Sequence, residues 1–333
     1  METRKNIVAQ FLAPYKISLM ESSLPPLLPE YAVIEYLYCG ICGGDYSVFL
    51  GRRQAYPISL GHEFVGRIIS VGKNVTNLKN GQYVISDLNY RCGECKFCKR
   101  GQSHLCEKNN IGLFSNRGFA KYANIHASYL TPITPPDYLP RACLIEPLSC
   151  VIHACNYSEI HDGMRVLVNG GGGIGMLFCF YLCRVLKSIS VILHQTNLQK
   201  ADILCSRFPI RLLKEEDRGK CDIIVDCSNT VDGLLFSLDY LEPGGKICIM
   251  SHLYGCETSF VYEQLCKKEL LCTCPLRNGE RTNLALSEKY IHNYWTKEDD
   301  ILLSVHEDIK EAFYNKPNTA SCKQIVHSCE LFL

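Results

Sequence analysis

Apolar and polar positions alternate over short distances in the first part of the chain. Runs such as "YAVIEYLY", "FVGRIISVG", "GQYVIS" and "FAKYANI" are separated by Gly, Pro and Asn. Short extended runs bounded by such turn residues are typical of β-strands. The pattern therefore predicts a strand-rich domain over residues 1–148.

The pattern changes near residue 149. "RVLVNG" predicts a strand, "GIGMLFCFYLCRVLK" a helix, and "ISVILH", "CDIIVDC" and "GGKICIMS" predict further strands. Strands that alternate with helices favour an α/β fold with a parallel, doubly wound sheet, here over residues 149–279. Residues 280–333 return to a mixed pattern and end in "CKQIVHSCELFL", a predicted strand that can rejoin the first domain.

The overall charge of the chain is nearly balanced, with 35 Lys and Arg against 34 Asp and Glu in 333 residues. This balance gives no reason to expect a nucleic acid or an anionic membrane surface as partner. The longest apolar run, "IGMLFCFYLCRVL", is shorter than the roughly 20 residues that a membrane span requires. The first residues carry charges and a proline where a secretory signal has an apolar stretch. We therefore expect a soluble, cytoplasmic protein.

The chain contains 21 cysteines, an odd and scattered set. A large cytoplasmic protein keeps its thiols reduced, so this set does not indicate a disulfide framework. Cys179, Cys183, Cys227 and Cys248 lie within apolar runs. We expect these four to pack as small hydrophobic side chains.

A separate group of cysteines follows the spacing C-x2-C-x2-C-x7-C: Cys92, Cys95, Cys98 and Cys106. The spacing alone would suit a disulfide knot, a nucleic-acid finger or a structural zinc site. The surrounding Gly, Lys, Arg, Gln and Ser build a loop and not a core, which favours a tetrahedral zinc with four thiolate ligands. A nucleic-acid finger is disfavoured because no basic stripe or interleaved aromatic residues accompany the group.

The segment "RVLVNGGGGIGM" places Gly170, Gly172 and Gly175 in G-x-G-x-x-G register between a strand and a helix. In a dinucleotide fold the first glycine forms the tight turn, the second lets the backbone approach a pyrophosphate, and the third lets the helix pack on the strand. The helix N-terminus then faces the phosphates. A glycine-rich turn without a ligand is the alternative.

A second candidate metal site lies upstream, where Cys39 precedes a Gly-rich turn and His62 and Glu63 follow Gly61. Thiolate, imidazole and carboxylate together suit a zinc that keeps an open coordination position. Taken alone, His62 could be a buried core histidine and Cys39 a packed thiol.

Five motifs occur in one order: "CGICGGD", "GHEFVG", the cysteine group, "EPLSCVIHAC" and "VLVNGGGGIG". In this order they resemble the zinc-containing medium-chain dehydrogenases/reductases, and most closely the sorbitol (polyol) dehydrogenase branch. The resemblance implies a GroES-like catalytic domain over 1–148 that holds the structural zinc lobe, and a Rossmann coenzyme-binding domain over 149–279. Residues 280–333 would be a return segment that completes the catalytic domain.

The resemblance also implies ligand sets for two zinc ions. Cys39, His62 and Glu63 match the catalytic ligands, and Glu146 in "IEPLS" matches a carboxylate that ligates the metal or holds its water. Read without the resemblance, Glu146 could simply cap a helix. The four cysteines of the group at 92–106 match the ligands of the structural zinc, distant from the chemistry.

The implied activity is that of a zinc-dependent, NAD(P)-linked alcohol or polyol dehydrogenase. Zinc polarises an alcohol oxygen, and a hydride passes to the nicotinamide. The expected substrate is a polyol or sugar alcohol, possibly a phosphorylated one, and the expected assembly is a homodimer or homotetramer. Simple secondary alcohols and threonine-like amino alcohols are alternative substrates. We name Tyr46, Arg117 and Arg277 as substrate-binding candidates.

The chain departs from the family at the residues that move the proton. Relatives often read CGxCGSDxH, whereas this chain has Gly44 and Ser47 at the serine and histidine positions. Ser47 can both donate and accept a proton and could replace the relay. The departure also leaves open a zinc- and nucleotide-binding family member with little catalysis.

The cofactor candidates are the glycine turn with its neighbours and two residues beyond it. Rossmann folds that bind NAD place an acid about 20 residues past the glycines, where it accepts from the ribose and repels a 2′-phosphate. His194 stands at the expected place in "SISVILH", and no acid follows before Asp202. The missing repulsion slightly favours NADP over NAD. The cofactor-binding candidates are Gly170, Gly172, Gly173, Ile174, Gly175, His194 and Lys200.

Overall fold

Two large sheets and a separate antiparallel pair formed by the first two strands organise the chain, whose computed structural model describes residues 5–89, 91–108, 117–187, 189–251, 265–316 and 319–328. The strands are β1 Lys5–Ala13, β2 Lys16–Ser23, β3 Tyr31–Gly40, β4 Glu63–Val71, β5 Tyr83–Ser86, β6 Tyr122–His126, β7 Leu130–Ile133, β8 Arg165–Asn169, β9 Ser190–His194, β10 Arg211–Leu212, β11 Cys221–Asp226, β12 Leu241–Ile249, β13 Leu271–Thr273, β14 Leu303–His306 and β15 Lys323–His327. The helices are α1 Gly43–Phe49, α2 Lys96–Lys99, α3 Ile145–Tyr157, α4 Gly173–Phe180, α5 Leu198–Arg207, α6 Val231–Leu238, α7 Thr282–Tyr294 and α8 Ile309–Asn315.

The first sheet joins the two ends of the chain. Its order is β14-β15-β3-β4-β5-β7, and β6 pairs with the first half of β3. Strand β15 runs antiparallel to the second half of β3, with Ile325 opposite Gly40 and Val326 opposite Cys39. The C-terminal segment therefore completes the β-rich part of the molecule. The domain limits after residues 148 and 279 stay a prediction, and the first of them falls within the continuous helix α3.

The second sheet has the order β10-β9-β8-β11-β12-β13, with every neighbouring pair parallel. This confirms the predicted doubly wound sheet. Strand β8 is buried on both faces, as Val166, Leu167 and Val168 show no exposed surface, which is typical of a central parallel strand. The direction of the strand order reverses between β8 and β11, and such a switch point is where ligands bind in open α/β sheets.

The helix predicted after the glycines begins at Gly173 and continues past α4 as a π-helical stretch, Tyr181–Leu186. The four cysteines predicted to pack in apolar runs do so in part. Cys179 is fully buried, as is Cys248 on β12, whereas Cys183 and Cys227 are only partly buried against the same core. Among the described residues, no helix is both long and apolar enough to cross a bilayer.

A steric test of the glycine turn uses two neighbouring glycines. Gly175→Ala is expected to lower the free energy of unfolding by about 1–3 kcal/mol, because the added Cβ would stand 1.8 Å from the carbonyl oxygen of Gly170. Gly172→Ala is the matched control, since a Cβ there meets no atom within 4 Å, and the weaker helix cap costs under about 1 kcal/mol. Urea unfolding measures both variants. Equal destabilisation would contradict the close approach.

Candidate functional site

The register of β3 against β4 decides which cysteine faces the candidate metal site. Gly40 lies opposite Glu63, and Cys39 lies opposite Phe64. Successive side chains of a strand point to opposite faces, so Cys39 and Glu63 point away from each other. The Cys39 thiol is fully buried and lies so near Gly61 that a Cβ there would come within 2.9 Å of its sulfur. The prediction of Cys39 as a metal ligand is therefore wrong.

Cys42 takes the place that the sequence analysis gave to Cys39. Ligand atoms of Cys42, His62 and Glu63 all lie within 4.8 Å of one another. Cys42 caps the N-terminus of α1, where its sulfur accepts from the Gly44 amide over 3.4 Å and its own amide donates to Asp45 over 3.1 Å. The sequence held a signal for this position, because Cys42 directly precedes the predicted turn into "GGDYSVF". The cap turns its thiol away from the strand and towards His62.

Asp45 is a further residue of this site that the sequence analysis missed. Its carboxylate lies 3.8 Å from His62 Nδ1 and is almost fully buried. Burial raises the pKa of Asp45, while the charge of His62 opposes the rise. A carboxylate beside a ligating imidazole fixes the orientation and tautomer of the ring. Asp45 is therefore placed to orient His62 towards a metal.

Lys323 supplies the positive charge of the cluster. Its ammonium group donates to the Glu63 carboxylate, and also to the carbonyl of Ile41 over 3.2 Å. Both side chains of the pair are buried, Lys323 at 4% and Glu63 at 2% exposure. Burial lowers the pKa of Lys323, but the charges of Glu63, Cys42 and Glu146 and the hydrogen bond to Glu63 together outweigh it, so the pKa is raised. Gly40 makes room for the pair, since a Cβ there would come within 2.7 Å of Glu63 Oε2.

Glu146 lies in the first turn of α3 and is buried. Its Oε1 accepts from the Cys150 thiol over 3.3 Å. Burial raises the pKa of Glu146 to about 7, and the nearby His62 and Glu63 shift it in opposite directions. Glu146 thus belongs to the same electrostatic neighbourhood as the cluster but is not among the three residues whose ligand atoms converge. Its role as ligand or as holder of a water stays a prediction.

The cluster at 92–106 has the geometry of a structural zinc site. The four sulfurs lie within 4.8 Å of one another, and those of Cys92 and Cys98 are 3.9 Å apart. A tetrahedral zinc with Zn–S bonds of about 2.3 Å separates its sulfurs by about 3.8 Å. The Cys98 amide donates to the Cys95 sulfur over 3.5 Å, and this bond leads the causes that lower the pKa of Cys95 to about 6. The donor set and its spacing fit a bound zinc.

This lobe is fastened to the loop that follows β13. The Ser103 amide donates to Glu280 over 2.9 Å, and Arg281 donates to Asp87 over 2.9 Å. The same loop carries Arg277, whose buried Nε has no hydrogen-bond partner among the residues described. Burial lowers the pKa of Arg277. An unsatisfied buried donor of this kind calls for a partner, which a ligand oxygen could supply.

The glycine turn is held by the end of the neighbouring strand. Gly170 has a φ of +103° and donates to the His194 carbonyl over 2.8 Å. The Gly171 amide donates to Oε1 of Gln195 over 2.9 Å. The His194 ring instead contacts Asn169 through Nδ1, over 2.7 Å. The structure therefore places Gln195, which the sequence analysis passed over, next to the glycine turn.

One cleft borders both candidate sites, and of the three converging residues of the metal cluster Glu63 lines it. Its lining includes, from the predicted set, Tyr46, Ser47, Glu63, Gly172, Gly173, Ile174, Gly175 and Lys200, with Arg52, Lys316 and Lys323 in addition. The Ser47 hydroxyl donates to the Gly43 carbonyl over 3.0 Å. Arg117 and Arg277 are not among these lining residues, and Arg117 lines a second cavity that shares no residue with the first. The roles of both arginines in substrate binding stay predictions.

The glycine turn of the doubly wound sheet shares a cleft with Glu63, which belongs to the cluster of a thiolate, an imidazole and a carboxylate. This arrangement is the one expected of metal-dependent oxidoreductases that use a dinucleotide. Comparison with known proteins agrees. Residues 29–135 match the alcohol dehydrogenase GroES-like domain. D-arabitol-phosphate dehydrogenase of Enterococcus avium is 32% identical over 269 residues, 74% of either chain. Sorbitol dehydrogenase of Halalkalibacterium halodurans is 30% identical, covering 71% of this chain and 74% of that one.

The fold has solved counterparts. A Sinorhizobium meliloti protein assigned as a zinc-binding dehydrogenase, in complex with NADP, superposes with a TM-score of 0.82 at 22% identity, covering 97% of this chain and 99% of the other. The chain belongs to the zinc-containing medium-chain dehydrogenase/reductase family, in its polyol dehydrogenase branch. It is an oxidoreductase of that family.

Substitution of each cysteine in "YCGIC" tests which of the two thiols binds the metal and which one only packs in the core. Cys42→Ser is expected to remove the metal of the catalytic cluster and to lower kcat at least about a hundredfold, since the metal polarises the reacting oxygen. Cys39→Ser is the matched control and should keep both metal and turnover, because its thiol faces the other side of the sheet. Metal analysis and steady-state kinetics on the two variants check this. Loss of the metal from Cys39→Ser alone would contradict the assignment.

Proposed function

We propose that the chain transfers a hydride between a nicotinamide dinucleotide and a secondary alcohol of a polyol or sugar alcohol. The observation that carries the proposal is the cleft lined both by the glycine turn and by Glu63 of the metal cluster. The names of the arabitol-phosphate and sorbitol dehydrogenases support the polyol class. Zinc would supply Lewis-acid activation of the alcohol oxygen, and the nicotinamide would carry the hydride.

The protein's own residues have distinct tasks in this proposal. Cys42, His62 and Glu63 would hold the zinc, because thiolate, imidazole and carboxylate are its usual ligands. Asp45 orients His62, and Lys323 compensates the charge of Glu63. Glu63 and Lys323 are buried, whereas Cys42 and His62 are partly exposed. The low dielectric around the buried pair strengthens its electrostatic attraction.

The proton leaves by a route that Ser47 can serve. Ser47 is 5% exposed and lines the cleft. Its hydroxyl donates to the Gly43 carbonyl over 3.0 Å. To pass on a proton from the substrate, the hydroxyl would turn from this carbonyl to a water in the cleft, which would take up the serine's own proton as its oxygen accepts the substrate's. Such a step would stand in for the serine–histidine relay of relatives. Proton transfer through this shorter route is expected to be slower. A zinc- and nucleotide-binding family member with little catalysis therefore remains the second candidate function.

A phosphorylated polyol is the substrate that the cationic residues favour. Arg52 lines the cleft, and Arg277 has a buried, unpartnered donor within the part of the chain that the structure describes. Guanidinium groups bind phosphate through paired donors. The arabitol-phosphate dehydrogenase supports this substrate by its name. A solvated charged rim is the alternative reading of Arg52.

A homodimer is the assembly that the second sheet favours. Strand β13 pairs with β12 on one side, and Leu271 on this strand is 57% exposed. An exposed apolar edge strand is a template for pairing with another chain. A homotetramer would require a further interface.

We propose NADP or NAD as cofactor, with a preference for NADP. No carboxylate stands at the end of β9, where Ser190–His194 is followed by Gln195. A 2′-phosphate would therefore meet no repulsion there. Lys200 lines the same cleft.

The substrate class is tested by kinetics on pairs of free and phosphorylated polyols. We expect kcat/KM to be at least about tenfold higher for a polyol phosphate, because charge-assisted bonds to arginine are worth about 1.5–3 kcal/mol. Arg277→Ala should reduce this preference, while Arg117→Ala, in the other cavity, serves as the control. Equal kcat/KM for both substrates, unaffected by Arg277→Ala, would reject the phosphorylated substrate and leave the free polyol. No turnover of any polyol would reject the polyol class.

Two independent ligand sets predict about two zinc ions per chain. Cys95→Ser should lose the lobe metal and lower the free energy of unfolding, because a structural zinc contributes folding energy. Cys42→Ser should lose a metal with a smaller loss of stability. Plasma emission analysis and thermal unfolding measure both quantities. A Cys95→Ser protein that keeps both metals would disprove the lobe assignment.

A further inference from the structure

Two basic side chains lie next to Tyr46 in the cleft, and one of them, Lys316, has no task in the proposed reaction. We propose that Lys316 and Arg52 together bind the phosphate group of the substrate, with Tyr46 as their common neighbour. The inference rests on the proposed function in that the substrate is a polyol whose alcohol meets the metal cluster. It assigns the choice of substrate to the turn after α1 and to the end of α8.

Helix α8 brings Lys316 over the ring of Tyr46. Phe313 and Lys316 are three positions apart, so they share one face at the end of this helix. Phe313 is fully buried and stacks on Tyr46 with ring centroids 6.5 Å apart, and Nζ of Lys316 lies 4.5 Å from the centroid of the same tyrosine. A cation over an aromatic face is attracted to the ring. Tyr46 therefore holds the ammonium group in the cleft that both residues line.

Arg52 reaches the same tyrosine from the turn that follows α1. The turn contains Gly51, which has a φ of +77°, and the Arg52 amide donates to the Ser47 carbonyl over 3.0 Å. Burial raises the pKa of Tyr46, and the charge of Arg52 opposes the rise. Such an effect requires a cation near the hydroxyl. Arg52 also lines the cleft, so two cations border the cleft at one tyrosine.

Neither cation forms an ion pair or a side-chain hydrogen bond with another residue in the part of the chain that the structure describes. Burial, and after it the charge of Lys323, lowers the pKa of Lys316 to about 8, although the acidic groups of the metal cluster act in the opposite direction. The ammonium group is therefore still charged near neutral pH. An anion that enters between Lys316 and Arg52 gains the attraction of both without displacing a carboxylate from either.

The two cations match a phosphate better than any other group that a polyol carries. A phosphate monoester has a charge of about −1.5 to −2 at pH 7, which two positive charges balance, whereas the carboxylate of a sugar acid needs only one. The Arg52 guanidinium offers paired donors to two phosphate oxygens, and the Lys316 ammonium is a point charge for the third. Glu63 of the metal cluster lines the same cleft, so one molecule can meet the cations and the metal together.

Binding of charged and uncharged forms of one six-carbon chain tests the assignment without turnover. Titration calorimetry on the metal-loaded protein compares sorbitol 6-phosphate, gluconate and sorbitol. The wild type should bind the phosphate most tightly and sorbitol least. Arg52→Gln and Lys316→Met each remove one charge and keep most of the side chain. Each should lower the ratio of the affinity for the phosphate to that for sorbitol at least about tenfold, because one charge-assisted bond is lost.

Arg53→Gln is the matched control, because Arg53 follows Arg52 in the chain but is not among the residues that line the cleft. It should leave the ratio unchanged. A ratio that neither Arg52→Gln nor Lys316→Met lowers overturns the proposal, as does tighter binding of gluconate than of the phosphate. If Lys316→Met fails to fold by circular dichroism, Arg52→Gln decides alone, since the Arg52 side chain is exposed.

Dinucleotide binding distinguishes the two molecules that could bring a phosphate into the cleft. The glycine turn lines the same cleft, so NAD and NADP are titrated into the same variants. Weaker dinucleotide binding with an unchanged sugar ratio would assign the two cations to the cofactor and overturn the proposal. Turnover of free polyols with an unchanged ratio would reject the phosphate site alone. Reduction of neither cofactor by any polyol, free or phosphorylated, would reject the proposed function itself.

Discussion

The buried pair of Lys323 and Glu63 is the interaction on which the catalytic half of the molecule depends. Its partners lie 260 residues apart, and together they attach the C-terminal strand β15 to the metal cluster. Breaking a buried pair by removing one partner costs about 3–5 kcal/mol, because the other charge is left uncompensated. The pair needs the space that Gly40 leaves free. The stability of the last strand and the geometry of the metal site are therefore coupled through this pair.

The same constraint explains how one cleft can hold a metal and a dinucleotide. Lys323 also borders the glycine turn, since a Cβ on Gly173 would come within 3.0 Å of its Cδ. The side chain thus passes between the two candidate sites and reaches Glu63. A positive charge there compensates the carboxylate on one side and favours phosphate groups on the other.

The cysteine lobe contributes to the site through the loop it holds. Glu280 accepts from Ser103 in the lobe, and Asn89 donates to the Gly279 carbonyl over 3.1 Å. Gly279 has a φ of +62° and leaves no room for a Cβ beside His153. The loop that carries Arg277 is thus clamped between the lobe and α3. The lobe therefore also contributes to the candidate site, because it holds in place the loop that carries Arg277, a candidate substrate-binding residue.

The sequence by itself determined the features that depend on local spacing. The glycine turn after β8, the four thiols at 92–106 and the alternation of strands and helices follow from neighbouring residues, so they could be predicted without a structure. The family followed from the order of such motifs. Only the tertiary structure decided which of two nearby residues faces a site. A shift of one position turns a strand's side chain to the other face. This separates Cys39 from Glu63 across the sheet and Gln195 from His194 at the end of β9. The role of Lys323 could not be predicted from the local sequence pattern. Its partner Glu63 comes close only when β15 joins β4 in one sheet.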